Sequence, residues 1–132
     1  MAIAYSSQGA GVATETSGAA LSPLCPATVN ANDILIAHVF WEGTATAPST
    51  PANWTLLDGP RVIETTIARH WIFGKLADGT EDGAAVAFGA PAVTTQRGGR
   101  VYSFTGCAAG VLTDVVPAAS FSATSHATDP QM

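Results

Sequence analysis

The stretch Asp33-Ile34-Leu35-Ile36-Ala37-His38-Val39-Phe40-Trp41 decides the fold that this sequence predicts. It is almost continuously apolar, as strands are when both of their faces are buried or when they lie at the centre of a sandwich. The residues that lead into it, Asn30-Ala31-Asn32-Asp33, have the composition of a turn and set its start. We therefore expect a central β-strand over residues 33–41.

The remaining chain has almost no helical periodicity, because Gly or Pro interrupts most windows that could hold three turns of helix. Residues 54–57 predict a short strand, which Asp58-Gly59-Pro60 ends with a turn. Residues 66–76 alternate for part of their length, but both faces are mixed and no inner face is assigned to them. The other predicted strands are residues 2–7, 16–21, 84–88, 100–105 and 119–124.

About eight short antiparallel strands separated by regular turns predict an all-β fold, a jelly-roll-like β-sandwich. With 132 residues, the chain fits a single domain over residues 1–132 that is large enough to bury a core. The final residues Asp129-Pro130-Gln131-Met132 are typical of a turn into a further element. We therefore expect either an N-terminal fragment of a longer chain or an open sheet edge that a partner chain completes.

The composition narrows the classes of partner. Charged residues make up 11% of the chain, against roughly 25% in ordinary soluble domains, and such a surface suits a protein that works inside an assembly. The net charge of -5 and the five scattered basic residues argue against a nucleic-acid partner. The start of the sequence has no secretory signal and no stretch is long enough to span a membrane, so we expect synthesis in the cytoplasm.

Four segments carry a resemblance to a known family. They are Asn32-Asp33-Ile34-Leu35-Ile36, Pro51-Ala52-Asn53-Trp54-Thr55-Leu56-Leu57, residues 71–77, and Tyr102-Ser103-Phe104-Thr105-Gly106. They resemble, in order, the Gly-Asp-Leu-Leu-Leu strand start, the Pro-x-Gly-Trp-Thr-Leu turn, the Tyr-Trp strand and the Ala-Tyr-Arg-Gly corner of a β-sandwich family. That family recurs in bacteriophage and prophage virion proteins and in bacterial repeat-bearing surface proteins.

The sequence departs from the family pattern at two of these places. Asn53 stands where the family has Gly, and Asn tolerates the left-handed conformation that such a turn needs. Phe104 stands where the family has Arg. Members of the family also continue with further strands after the region that corresponds to residues 128–130.

The resemblance implies a virion structural protein, made in the host cytoplasm, that is a capsid decoration, head-fibre or tail-associated component. Its partners would be major capsid or tail proteins, and it would form a homo-oligomer, with a trimer among the options. The resemblance brings no catalytic residue and no cofactor. The alternative is a carbohydrate-binding or receptor-binding module of a fibre or adhesin, for which a glycan would be the partner.

Trp41, Trp54 and Trp71 are the residues on which the alternative depends, because aromatic faces stack on sugar rings. Each tryptophan can instead fill the core. Trp54 lies next to the proline-rich loop and is the best candidate for ligand contact, with Trp41 second. Exposure of either ring beside polar loops is the feature that would favour a glycan site.

Enzymatic chemistry finds little support. The three histidines, His38, His70 and His126, have no spacing typical of metal ligands, and the first two lie in predicted strands as ordinary sheet residues. There is no Gly-x-Ser-x-Gly nucleophile elbow. We therefore predict a protein that is not an enzyme.

Two further features leave more than one interpretation open. The acidic loop over residues 78–83 has oxygen donors that suit Ca²⁺, but it lacks the ligand rhythm of a calcium loop and fits a solvated turn better. Cys25 and Cys107 have no second thiol nearby in sequence. They fit two reduced thiols, and a disulfide between them stays open because nothing in the sequence shows whether they meet.

Overall fold

The computed structural model describes residues 3–16, 18–42, 47–63, 68–89 and 95–107. These residues form no helix, and their six strands belong to one antiparallel sheet, so the all-β prediction is confirmed. The strand order is β1-β6-β3-β5-β4, with β2 paired to β6 beyond the end of β1. The strands are β1 (Ala4–Gln8), β2 (Val12–Thr14), β3 (Ile34–Glu42), β4 (Thr55–Ile63), β5 (Ala68–Leu76) and β6 (Arg97–Thr105).

Strand β3 is the central strand that the sequence predicted, with β5 on one side and β6 on the other. Its two faces are unequal, because Leu35 and Val39 are fully buried while His38 and Phe40 are half-buried. The prediction that both faces of this strand are buried was therefore only partly right. We call the buried side the inner face of the sheet and the half-buried side its outer face. The core residues that the sheet contributes on its inner face are Leu35, Ala37, Val39, Trp41, Trp71, Phe73 and Val101.

Two extended segments, residues 21–26 and 84–89, cover the inner face and run antiparallel to each other. Their backbones are joined by hydrogen bonds, among them Phe88 N to Leu21 O at 2.9 Å and Val86 N to Pro23 O at 2.9 Å. The Phe88 ring packs 5.0 Å from the Phe73 ring of β5, measured between centroids. Residues 84–88, predicted as a strand, make only one isolated bridge, between Leu24 and Ala85, because Pro23 and Pro26 have no N–H to donate.

Strand β4 is longer than predicted. The turn expected at Asp58-Gly59-Pro60 is wrong, since the strand runs through these residues to Ile63. Its pairing with β5 shifts register on both sides of Asp58, which accommodates the extra residues as irregularities of the ladder. Among the described strands β4 pairs only with β5, and an edge strand tolerates a proline that cannot donate to a ladder.

The N-terminal region also differs from the prediction. The described part of residues 16–21 contains no strand, whereas β2 forms at Val12–Thr14. Arg97 is 1% exposed, and its guanidinium donates hydrogen bonds to backbone carbonyls of this region. Nη2 donates to Thr16 O at 2.6 Å and to Ala19 O at 2.5 Å. These carbonyls bind a side chain instead of a neighbouring strand. The strand predicted over residues 119–124 lies outside the described residues.

Two turn predictions are confirmed. Asn53 has a φ of 65°, the left-handed conformation that the turn before Trp54 was expected to need, and Trp54 N donates to Pro51 O at 3.1 Å. At the start of β3, the buried Asp33 carboxylate accepts the N–H of Asn30 at 2.9 Å. A hydrogen bond of this kind, from the backbone to a nearby carboxylate, stabilises a turn locally.

Candidate functional site

The outer face carries a row of basic side chains across four adjacent strands. In the pairing of β6 with β3, Arg100 lies opposite His38, and in the pairing of β5 with β4, His70 lies opposite Arg61. The two histidines join these pairs, because His38 Nε2 and His70 Nδ1 are in hydrogen-bond contact. We call Arg100, His38, His70 and Arg61 the basic row.

The two imidazoles at its centre form a stacked pair, with ring centroids 4.7 Å apart and planes inclined by 17°. They occupy diagonal positions on β3 and β5, which are within reach of each other across a sheet. One ring nitrogen must donate and the other accept, so the accepting ring is neutral. Burial lowers the pKa of His38, and burial together with the nearby His38 lowers the pKa of His70.

A groove with a volume of about 460 Å³ opens beside this pair, between the β2 end of the sheet edge and β3. Two glycines of its lining make room for the side chains that flank it. A Cβ added at Gly98 would lie 2.5 Å from Cε1 of Phe40, and one added at Gly11 would lie 2.8 Å from Nε of Arg100. The main side chains that line the groove are Val12, His38, Phe40 and Arg100.

The two arginines of the basic row differ in their environment. Arg61 Nε lies 2.8 Å from Asp58 Oδ2, and the hydrogen bond from Arg61 is the main cause of a lowered pKa for the Asp58 carboxyl. Arg100 is exposed at the groove, and it makes no hydrogen bond or ion pair with any residue that the structure describes. Its guanidinium is therefore the positive group of the row that is available to an anion.

Trp54 and Trp41, the ligand-contact residues suggested by the sequence, lie in the core. Trp54 is 9% exposed and meets the Phe88 ring edge to face at 6.1 Å, and Trp41 meets Trp71 in the same way at 6.0 Å. The exposed ring that sugar stacking requires is present at neither position. Trp54 instead packs against the layer that covers the inner face, and Trp41 packs against Trp71 of the neighbouring strand.

The acidic loop is tied to the protein by its own carboxylates. Glu81 is buried, binds Lys75 Nζ at 2.7 Å through Oε1, and accepts the N–H of Gly79 at 3.0 Å through Oε2. Asp82 Oδ1 accepts the N–H of Val29 at 2.7 Å. Oxygens used in this way are not arranged around a cation, and no group of three or more metal-ligating side chains occurs in the described part of the chain.

The cysteines are not joined to each other, and Cys25 is buried while Cys107 is half-buried. Burial and the nearby Glu81 carboxylate raise the pKa of Cys25 to about 11, although Lys75 acts in the opposite direction. This thiol is therefore protonated and unreactive at neutral pH. His126, the third histidine, lies outside the described residues.

The basic row was missed in the sequence because it depends on strand register. His38 and His70 are 32 positions apart in the sequence, and Arg61 and Arg100 join them in one row only when β4, β5, β3 and β6 are placed side by side. Alternation within each strand was the usable signal. It puts His38 on the same face as Phe40, but it does not place either residue opposite a particular residue of another strand.

The histidine pair predicts a loss of stability on acidification. Both histidine pKa values lie below the ordinary 6.5 in the folded protein. As the pH falls below 6.5, the unfolded chain therefore binds more protons than the folded protein does, and the folded state loses stability. We expect the free energy of unfolding to drop by roughly 1 kcal/mol between about pH 7.5 and 5.5, measured by urea denaturation. A His38→Asn, His70→Asn double variant should lose most of this drop, and an unchanged pH dependence would contradict the assignment.

Comparison of the chain with protein-family models, with curated proteins and with solved structures finds no match. The fold and the site therefore define the chain as an all-β protein with one described antiparallel sheet and a groove on its outer face. Within the described ranges, no helix could cross a membrane.

Proposed function

We propose that this chain is a structural component of a bacteriophage virion, a capsid decoration, head-fibre or tail-associated domain that acts by protein–protein assembly. The observation that carries the proposal is the exposure of large apolar side chains at both outer edges of the described sheet. Tyr5 of β1 is 57% exposed at one edge, and Val62 of β4 is 54% exposed at the other. The four-segment resemblance and the low charge support the same class of function.

Exposed strand edges of this kind favour pairing with another chain. An edge strand has backbone N–H and C=O groups that point away from its sheet, and charged side chains usually protect such an edge. In this protein Ile3 and Tyr5 are exposed at the β1 edge, and Leu56 and Val62 are exposed at the β4 edge beside the charged Asp58 and Arg61. Strand addition by a partner would use the free backbone groups and bury these side chains together.

The finer architecture belongs to this proposal. A jelly-roll-like sandwich would result if strands from a partner chain, or from further along this chain, were added to the described sheet. A closed homo-oligomer, with a trimer as one option, would protect the edges by symmetry. Major capsid or tail proteins would then bind the assembled oligomer. The proposal assigns no catalytic residue and no cofactor to this chain.

The proposal is tested by quantitative peptide mass spectrometry on gradient-purified particles from the source. We expect the chain to co-sediment with the major capsid protein at a fixed copy number. Hundreds of copies per particle would indicate a capsid decoration or head fibre, and a handful would indicate the tail. Absence from the particles would refute the proposal.

The edges themselves are tested by a charge substitution. Val62→Lys places an ammonium at the β4 edge, and we expect it to reduce self-association at least tenfold, as measured by sedimentation equilibrium. Leu24→Lys is the matched control, because Leu24 is 38% exposed but lies outside the six strands of the sheet. Equal association of the two variants would argue against pairing at this edge.

A carbohydrate-binding or receptor-binding module is the second candidate, and the groove is the observation that favours it. Its volume of about 460 Å³ falls in the range of small-molecule sites, which is roughly 300–1,000 Å³. Phe40 supplies an aromatic ring, while Arg100 and His38 supply polar groups. The groove, rather than Trp54 or Trp41, is where we expect a glycan to bind in this second candidate.

A further inference from the structure

We propose that the outer-face groove binds a carboxylate-bearing sugar, with Arg100 pairing with the carboxylate and His38 hydrogen-bonding the ring beside it. The inference rests on the second candidate function and is independent of the virion proposal. It identifies the class of ligand, which neither the fold nor the resemblance specifies.

The charge of the groove is the first argument. Arg100 presents a planar guanidinium, which binds carboxylates through two parallel hydrogen bonds. The other residues that line the groove are glycine, alanine, valine, phenylalanine and histidine, so none of them is acidic. At the far end of the basic row Asp58 is engaged by Arg61. An incoming carboxylate therefore meets a positive group, and no carboxylate lies among the described residues that line the groove.

The placement of the two side chains that flank the groove is the second argument. Gly11 lies under the guanidinium of Arg100, and Gly98 lies against the edge of Phe40, at distances where a Cβ would force either side chain to move. These two glycines thus let the guanidinium and the aromatic ring lie close to the sheet, where both line the groove. A ligand in the groove can therefore contact the charged group and the aromatic ring together.

The mixture of groups favours a sugar acid over other ligands. Phe40 offers an apolar surface for the ring carbons, and the imidazole nitrogens of the His38–His70 pair can donate or accept a hydrogen bond. A metal cation at the histidine pair is disfavoured, because arginines lie opposite both histidines. A nucleic acid would need several unengaged cations in line. Among its described members, the basic row has one such cation, Arg100.

The test compares trigalacturonate with its methyl ester, in which the same sugar rings carry no charge. We expect isothermal titration calorimetry to show at least tenfold tighter binding of the acid by the full chain. In ¹H–¹⁵N spectra, the amide signals of Gly11, Gly98 and Gly99 should move on titration with the acid. Equal affinity for acid and ester, or no binding of the acid at all, would overturn the proposal.

Two matched variants locate the site. Arg100→Gln should weaken binding of trigalacturonate at least tenfold, and its exposed position predicts an unchanged melting temperature. Arg61→Gln makes the same chemical change in the same row but outside the groove, and its affinity should stay within about twofold of the wild type. Wild-type affinity in Arg100→Gln would overturn the proposal. Because particle incorporation is measured separately, a failure here and a failure of the virion proposal give different results.

Discussion

Glu81→Ala is expected to lower the free energy of unfolding by about 3–5 kcal/mol, because it removes one partner of a buried ion pair and leaves the other. Lys75 Nζ lies 2.7 Å from Glu81 Oε1, and both side chains are largely buried. The same carboxylate also accepts the N–H groups of Asp78 and Gly79, which hold the acidic loop in place. Urea denaturation of the two proteins at neutral pH measures the difference.

The pH dependence of this difference gives a second check. Burial alone would raise the pKa of Glu81, but the hydrogen bonds from Lys75 and from the backbone of Asp78 and Gly79 outweigh it and lower the pKa below 4.5. The stabilisation is therefore complete above pH 4.5 and is lost as the pH falls through the lowered pKa of the folded protein. We expect the difference in stability between the variant and the wild type to shrink as the pH falls below 4.5.

Glu15→Ala is the matched control, since it removes the same carboxylate from an exposed position. Its effect should stay within about 0.5 kcal/mol at every pH. An effect of Glu81→Ala no larger than this would show that the buried pair does not hold the loop.

Gly9→Ala is expected to destabilise the fold by about 3 kcal/mol through a collision with backbone atoms. A Cβ at Gly9 would lie 1.7 Å from Leu24 O and 2.7 Å from the carbonyl carbon of Cys25. Gly9 N also donates to Val101 O at 2.9 Å, so the residue is held against β6 and cannot move away from Leu24. The layer over the inner face would have to shift instead.

The same change two positions later serves as the comparison. In Gly11→Ala the Cβ meets the end of the flexible, exposed Arg100 side chain, 2.8 Å from Nε, and that side chain can swing aside. We expect a loss within about 1 kcal/mol, read from thermal melts followed by circular dichroism. Similar losses in both variants would mean that the contact of Gly9 with Leu24 does not limit the packing.

The sequence allowed prediction of those elements whose signals are local. The apolar run of β3 predicted a central strand, and the residue type at position 53 predicted a left-handed turn. The passage of β4 through Gly59 and Pro60 could not be predicted in this way, because the tolerance for proline comes from the edge position of the strand. That position is a property of the whole sheet.

The candidate site was less predictable than the fold for a related reason. A tryptophan such as Trp54 fits a core or a sugar site equally well until its burial is known, and burial depends on Phe88, far along the chain. The meeting of His38 with His70 depends on register between β3 and β5. Register is specified by the packing of the buried face, which no short motif encodes.

The order of the strands also sets the timing of folding during synthesis. The first strand pairs with the last described one, since Ala4 lies opposite Thr105, and β3 likewise needs β6 along one side. At a translation rate of about 5–20 residues per second, β1 waits roughly 5–20 s for its partner to be made. The nascent chain must keep its unpaired N-terminal strand from pairing with neighbouring chains during that interval. Slow, post-translational completion of the sheet is therefore the expected route.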